Sequence, residues 1–110
     1  MITVQELIAA LDLTMFCLAD PDRAVTGGYC GDLLSWVMGR APTDSAWLTI
    51  MSNMNVAAVA SLTDVACVIL TEGVEPDEPL LQKARAQGIN LLGTAQPTYD
   101  CAARLGSLLK

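Results

Sequence analysis

Apolar positions along the chain change period several times, and each change marks an element. Val4 to Leu11 repeats with helical spacing, and Leu13 to Leu18 reads as a strand. The turn residues Asp20-Pro21-Asp22 follow, then a second strand from Ala24 to Tyr29. Leu33 to Met38 predicts a helix, with Leu33, Leu34, Val37 and Met38 paired one turn apart, and residues 39–45 a loop. From there the pattern alternates regularly. Trp47 to Met51 predicts a strand, Met54 to Leu62 a helix, and Ala66 to Leu70 ("ACVIL") a continuous apolar strand. Pro76 to Gln87 predicts an amphipathic helix, with acids in its first turn, Lys83 and Arg85 in its last, and Gly88 as terminator. Ile89 to Leu92 is a strand, and Pro97 to Leu109 a helix with Cys101, Leu105, Leu108 and Leu109 on one face.

This β-α-β-α-β-α order with short connections implies right-handed crossovers. The expected fold is α/β: a single domain over residues 1–110, with a mainly parallel sheet of about five strands and helices packed on its faces. The helix Met54 to Leu62 has no polar stripe beyond Asn55 and Ser61, so it should be covered on two sides. A second copy of the chain supplies that cover most economically, which predicts a homodimer. Cover by the N-terminal helix is the alternative.

Composition narrows the partners. The chain is 53% hydrophobic, yet no apolar run is long enough to span a membrane. Its start carries Glu6 and Asp12 and no basic leader, so a cytoplasmic location is the default. Twelve acidic residues against six basic ones give a net charge of −6, which disfavours nucleic acid and anionic membrane surfaces. Histidine is absent, removing the commonest general base and metal ligand together. Cys17, Cys30, Cys67 and Cys101 form no CxxC pair and sit in apolar surroundings. They read as reduced, buried hydrophobes, with no metal and no cofactor expected.

Ligands of parallel α/β sheets bind outside the carboxyl ends of the strands. Those ends are expected to carry Gly27 and Gly28, Ser52 and Asn53, Thr71 and Gly73, and Thr94, each beside a helix N-terminus that favours anions. Together they form the candidate ligand site, facing one cleft. Capping and turn formation explain each loop equally well on its own. The glycine-rich stretch "TGGYCGD" at Thr26 to Asp32 is neither a triphosphate-binding loop, since no lysine precedes Lys83, nor GxGxxG. It reads as a turn followed by a helix that Asp32 caps. Asp32, Asp44, Asp64, Glu72, Asp100 and the cysteines could act in catalysis, but no pair shows a recognisable spacing. No catalytic residue is therefore assigned.

The segments "GGYCGDLLSWVMG", "AWLTIMSNMNVAAVASL", "VACVILTEGVEPDEPLLQKARAQGINLLGT" and "PTYDCAARL" resemble the DRTGG domain family, which is similar to the N-terminal domain of HPr kinase/phosphorylase. The resemblance runs from Gly27 to about Leu109. It implies a self-associating α/β domain with a regulatory role, accompanying partners such as phosphotransacetylase or CBS domains, and no catalytic residues to carry over. The Asp-Arg part of the signature falls near Ser52-Asn53-Met54 and lacks its charged pair. The Thr-Gly-Gly part falls at Thr71-Glu72-Gly73, where Glu72 replaces one glycine. The expected function is a non-catalytic regulatory module that binds a small metabolite or nucleotide-like ligand as a homodimer. A protein-interaction subunit without a ligand, and a small carboxylate- or thiol-dependent enzyme, are the alternatives.

Overall fold

A computed structural model describes residues 2–110. Thr3 caps the first helix through a reciprocal pair of bonds with Glu6: the Glu6 N–H donates to Thr3 Oγ1 at 3.2 Å, and the Thr3 N–H donates to Glu6 Oε1 at 2.9 Å. That fixes α1 at Val4–Leu11, just after a two-residue strand, β1 (Ile2–Thr3), which pairs antiparallel with β3 (Ala24–Val25). Neither this small ribbon nor the break at Thr26 is visible in the hydrophobic pattern.

The main sheet has the order β2-β7-β6-β5-β4. Its strands are β2 (Thr14–Cys17), β4 (Gly27–Cys30), β5 (Ser45–Thr49), β6 (Cys67–Leu70) and β7 (Leu91–Gly93). The last four are mutually parallel, and β2 closes one edge antiparallel to β7. The expected mainly parallel five-stranded sheet is therefore present. β5 begins two residues before the expected Trp47, because small Ser45 and Ala46 hide its buried first half; Ser45 hydrogen-bonds the Pro42 carbonyl at 2.7 Å.

Alternation along the strands builds two cores. Ala46, Leu48, Cys67, Ile69 and Leu92 face α1 and α5 (Thr98–Leu108). Trp47, Val68, Leu70 and Leu91 face α2 (Leu34–Arg40), α3 (Asn55–Thr63) and α4 (Glu78–Gln87). Burying such apolar area is the main stabilising contribution, at roughly 25 cal/mol per Å². Trp47 is fully buried yet satisfied, its indole N–H donating to the Gly31 carbonyl at 2.9 Å.

α3 is the middle helix of its layer, flanked by α2 and α4. It buries Val56, Ala57, Val59, Ala60 and Thr63, and leaves Met54, Ala58 and Leu62 exposed on its outer side. The N-terminal helix packs on the opposite face of the sheet, so it does not cover α3. The helix expected from Pro76 starts at Glu78, with Pro79 in its first turn and Gly88 closing it in the left-handed conformation at φ 69°.

Candidate functional site

Because β4 to β7 are parallel, the loops that follow them emerge on one rim: residues 31–33, 50–54, 71–77 and 94–97. These loops are bonded to one another. Asp32 Oδ1 accepts the Thr49 hydroxyl at 2.8 Å and the Ile50 N–H at 3.0 Å, tying the end of β4 to the end of β5. Asp32 is thus not the cap of α2: the N-cap is Leu33, without a side-chain bond. The next loop is tied to α4, since the Asp77 N–H donates to the Ser52 carbonyl at 3.0 Å and the Ser52 hydroxyl lies 3.4 Å from Asp77 Oδ1.

The tightest part follows β6. Glu72 and Gly73 are both left-handed, at φ 62° and 75°. This turns two consecutive N–H groups toward the neighbouring loop, where Glu72 reaches the Gln96 carbonyl at 2.9 Å and Gly73 the Thr94 carbonyl at 3.0 Å. The Thr71 and Thr98 hydroxyls meet at 2.6 Å. The Glu72 carboxylate then accepts the Thr98 N–H at 2.9 Å, in the first turn of α5. A glutamate at a left-handed position costs about 1 kcal/mol relative to glycine, and here its side chain supplies a bond that glycine could not.

Of the residues expected in one cleft, Ser52, Asn53, Thr71, Gly73 and Thr94 lie on this rim. Most are engaged internally: Asn53 Oδ1 accepts the Asn55 N–H at 2.9 Å at the start of α3, and Thr94 Oγ1 accepts the Gln96 N–H at 3.2 Å. Gly27 and Gly28 lie elsewhere. They open β4, opposite Ser45 and Ala46, at the end of the sheet away from the rim. The strand expected from Ala24 breaks at Thr26 and resumes through the glycines, which therefore begin a strand instead of lying at a strand's carboxyl end. A Cβ on Gly28 would sit 2.8 Å from Leu105 Cδ2, so this glycine lets α5 approach β4 closely. The glycine-rich stretch is neither a phosphate cradle nor a turn but a strand shaped for a helix. Asp32, expected as a helix cap, is a rim residue instead, and Gln96 and Thr98 are rim residues that the sequence reading missed; Pro97-Thr98 at a helix start was the available signal.

One open cleft remains beside the rim, about 250 Å³, lined by Thr14, Phe16, Gly73, Glu75, Thr94 and Ala95. Phe16 lies directly over Gly93, where a Cβ would collide with its ring. The charge around the rim is of one sign. Asp32, Glu72, Glu75, Asp77, Glu78 and Asp100 are exposed in these loops and in the first turns of α4 and α5, and no lysine or arginine lies among them. Glu72 also fills the N-terminus of α5 that would otherwise attract an anion.

Thiol chemistry is disfavoured throughout. Burial pushes the Cys67 thiol up to about 12. Burial also raises Cys17, Cys30 and Cys101, and Asp32 adds to the rise at Cys30. Among the described residues, no three cysteine, aspartate or glutamate side chains are grouped to hold a metal. Asp44 and Asp64 lie at the far end of the sheet, bound to Arg23 at 2.7 and 3.1 Å. Among the described residues, no helix is long and apolar enough to cross a membrane.

The DRTGG domain model matches residues 43–108. Among solved structures, the chain is similar to the CBS and DRTGG domains of the regulatory region of Clostridium perfringens pyrophosphatase, a structure complexed with its activator, diadenosine tetraphosphate. The TM-score is 0.73 at 10% identity, over 94% of this chain and 45% of that one. That likeness establishes a common fold, and the chain spans less than half the length of its structural counterpart. No curated protein matches the sequence.

Proposed function

The chain belongs to the DRTGG domain family, and on that premise we propose that it is a non-catalytic regulatory module acting through protein contact, as a homodimer built on α3. The outer row of α3 carries this reading. Met54, Ala58 and Leu62 are exposed one turn apart, and α3 contains no charged residue. Two copies that each carry a charge of −6 repel except through an uncharged face, and this row offers one. Ala58 at its centre permits close approach of two helices about a two-fold axis. Four unpaired cysteines support a reducing compartment, in which we place it in the cytoplasm. Sedimentation tests the assembly: the wild type is dimeric at micromolar concentration and Leu62→Glu is monomeric. A monomeric wild type overturns it.

The cleft at the rim favours a second reading, in which a small neutral or zwitterionic ligand binds beside Gly73 and Thr94. Side chains from Ser52, Asn53 and Thr71 are already committed to the rim's own hydrogen bonds, which supports the contact reading over this one. A tetraphosphate at this rim would meet carboxylates without a compensating lysine or arginine. A thermal-shift comparison of adenosine with diadenosine tetraphosphate separates the cases. Stabilisation by the uncharged nucleoside alone supports the second reading, and stabilisation by neither leaves protein contact as the function.

A further inference from the structure

Three of the four cysteines lie on one face of the sheet. Cys67 on β6 and Cys101 on α5 belong to the core that α1 and α5 build with the strands. Cys30 ends β4, the edge strand. Its side of the sheet is fixed by Gly28, since a Cβ there would meet Leu105 of α5 at 2.8 Å. Side chains two residues apart on a strand share a face, so Cys30 faces α5 as well. Cys17 stands on β2, at the opposite edge of the sheet.

Register brings Cys30 and Cys101 to one level. β4 runs toward the rim, and Cys30 stands two residues beyond Gly28, a rise of about 6.6 Å. α5 starts on the rim and runs the other way, so Cys101, four residues before Leu105, is nearer the rim by about 6 Å. The meeting of Gly28 with Leu105 is thus followed one helical turn on by a facing pair, Cys30 and Cys101. Glycine at position 28 also draws α5 closer to β4 than two side chains would allow, which shortens the span between the thiols. Burial first, and then the neighbouring Cys30, raise the Cys101 thiol, as expected of two sulfurs within each other's field. Cys30 is exposed and Cys101 is fully buried, so only one of the pair meets a reagent from solvent.

We propose that Cys30 and Cys101 form an oxidation site, at which hydrogen peroxide converts the two thiols to a disulfide that staples α5 to β4. The Cys30 thiolate attacks one peroxide oxygen, the O–O bond breaks, and Cys30 becomes a sulfenic acid as hydroxide leaves. Cys101 then attacks that sulfur, the S–O bond breaks, and the oxygen departs as water. In total the two thiols lose two protons and two electrons, and one hydrogen peroxide becomes two waters. Burial and Asp32 both raise the Cys30 thiol, so the first step is slow near neutral pH. That suits a response to sustained oxidant in a compartment that otherwise keeps thiols reduced. The first turn of α5 bonds to Thr71 and Glu72, so a staple at Cys101 holds the helix that anchors the rim. The site involves neither α3 nor the rim cleft, and stands whether or not the chain dimerises.

The test treats the folded full chain with hydrogen peroxide and locates any disulfide by peptide mapping without reductant. A Cys30–Cys101 link is expected, with Cys17 and Cys67 left as thiols. The denaturant midpoint should rise, because the bond closes a loop over most of the chain, and should return on reduction with dithiothreitol. In Cys30→Ser, a change at an exposed position, Cys101 is expected to remain a thiol. In Cys101→Ala the sulfenic acid on Cys30 has no resolving thiol and is trapped by dimedone. Four results overturn the proposal: a Cys30 that stays a thiol, a Cys30 carried to sulfinic acid beside a free Cys101, a link between the Cys30 residues of two chains, or undiminished oxidation of Cys101 in Cys30→Ser.

Discussion

The carboxylate of Glu72 and the N–H of Thr98 meet at 2.9 Å, so the first turn of α5 is answered by an anion from its own chain. At φ 62° Glu72 also occupies backbone space that glycine takes more easily. The two effects oppose each other in Glu72→Gly. Relief of the left-handed position contributes about 1 kcal/mol, and loss of the capping bond removes about the same. The melting temperature should therefore move little. Inorganic phosphate should stabilise the variant more than the wild type, because the N-terminus of α5 is then free. A variant that melts far below the wild type, or gains nothing from phosphate, contradicts this account.

Gly28 and Leu105 make a second close relationship. A Cβ on Gly28 would lie 2.8 Å from Leu105 Cδ2, and Leu105 is buried. Gly28→Ala should cost about 1 kcal/mol and Gly28→Val about 3 kcal/mol, as the side chain pushes α5 from β4. Denaturant unfolding measures both. Gly27→Ala is the control: a Cβ there meets nothing within 4 Å, so its midpoint should stay near that of the wild type.

The order of helices and strands was legible because period and apolar run length report burial directly. Ala66 to Leu70 reads as a central strand, and the structure buries every residue of β6. Gly88 as terminator of α4 was equally readable, since a left-handed cap has few candidates. The site was less legible. Gly27 and Gly28 satisfy the composition of a loop and of a strand that admits a helix, and only the position of Leu105 decides between them. Asp32 beside a helix start looks like a cap, yet it bonds across to Thr49, seventeen residues on, through a pairing no local pattern contains. Three-dimensional register, rather than residue type, sets both.

The Arg23 knot joins the β3 ribbon to the loops before β5 and after α3. Arg23→Met keeps the aliphatic stem and removes bonds to Asp44, Asp64 and the Asp64 carbonyl. The side chain is only 26% exposed, against 41% and 65% for its two acidic partners. Solvent screening at the acids limits the expected loss to about 1 to 2 kcal/mol. High salt should narrow the gap between variant and wild type. A gap that stays constant with salt would assign the effect to packing of the stem.

The buried thiols set the alkaline limb of stability. Cys67 is protonated in the folded chain up to about 12, against an ordinary value of 9.0, because burial opposes the thiolate. A group raised in the folded state contributes stability below its unfolded value and loses it as pH climbs toward the folded one. Stability should therefore be level near neutrality and decline as pH rises from 9.0 toward 12. Cys67→Ala should flatten that decline while lowering stability at neutral pH by about 1 to 2 kcal/mol for the lost packing. Thiol labelling gives an independent reading. Cys30, the exposed cysteine, should react first, and Cys67 only at the rate of global unfolding, so that both rates rise with pH but never coincide. Rapid native-state labelling of Cys67 at neutral pH would refute its assignment as the most protected thiol.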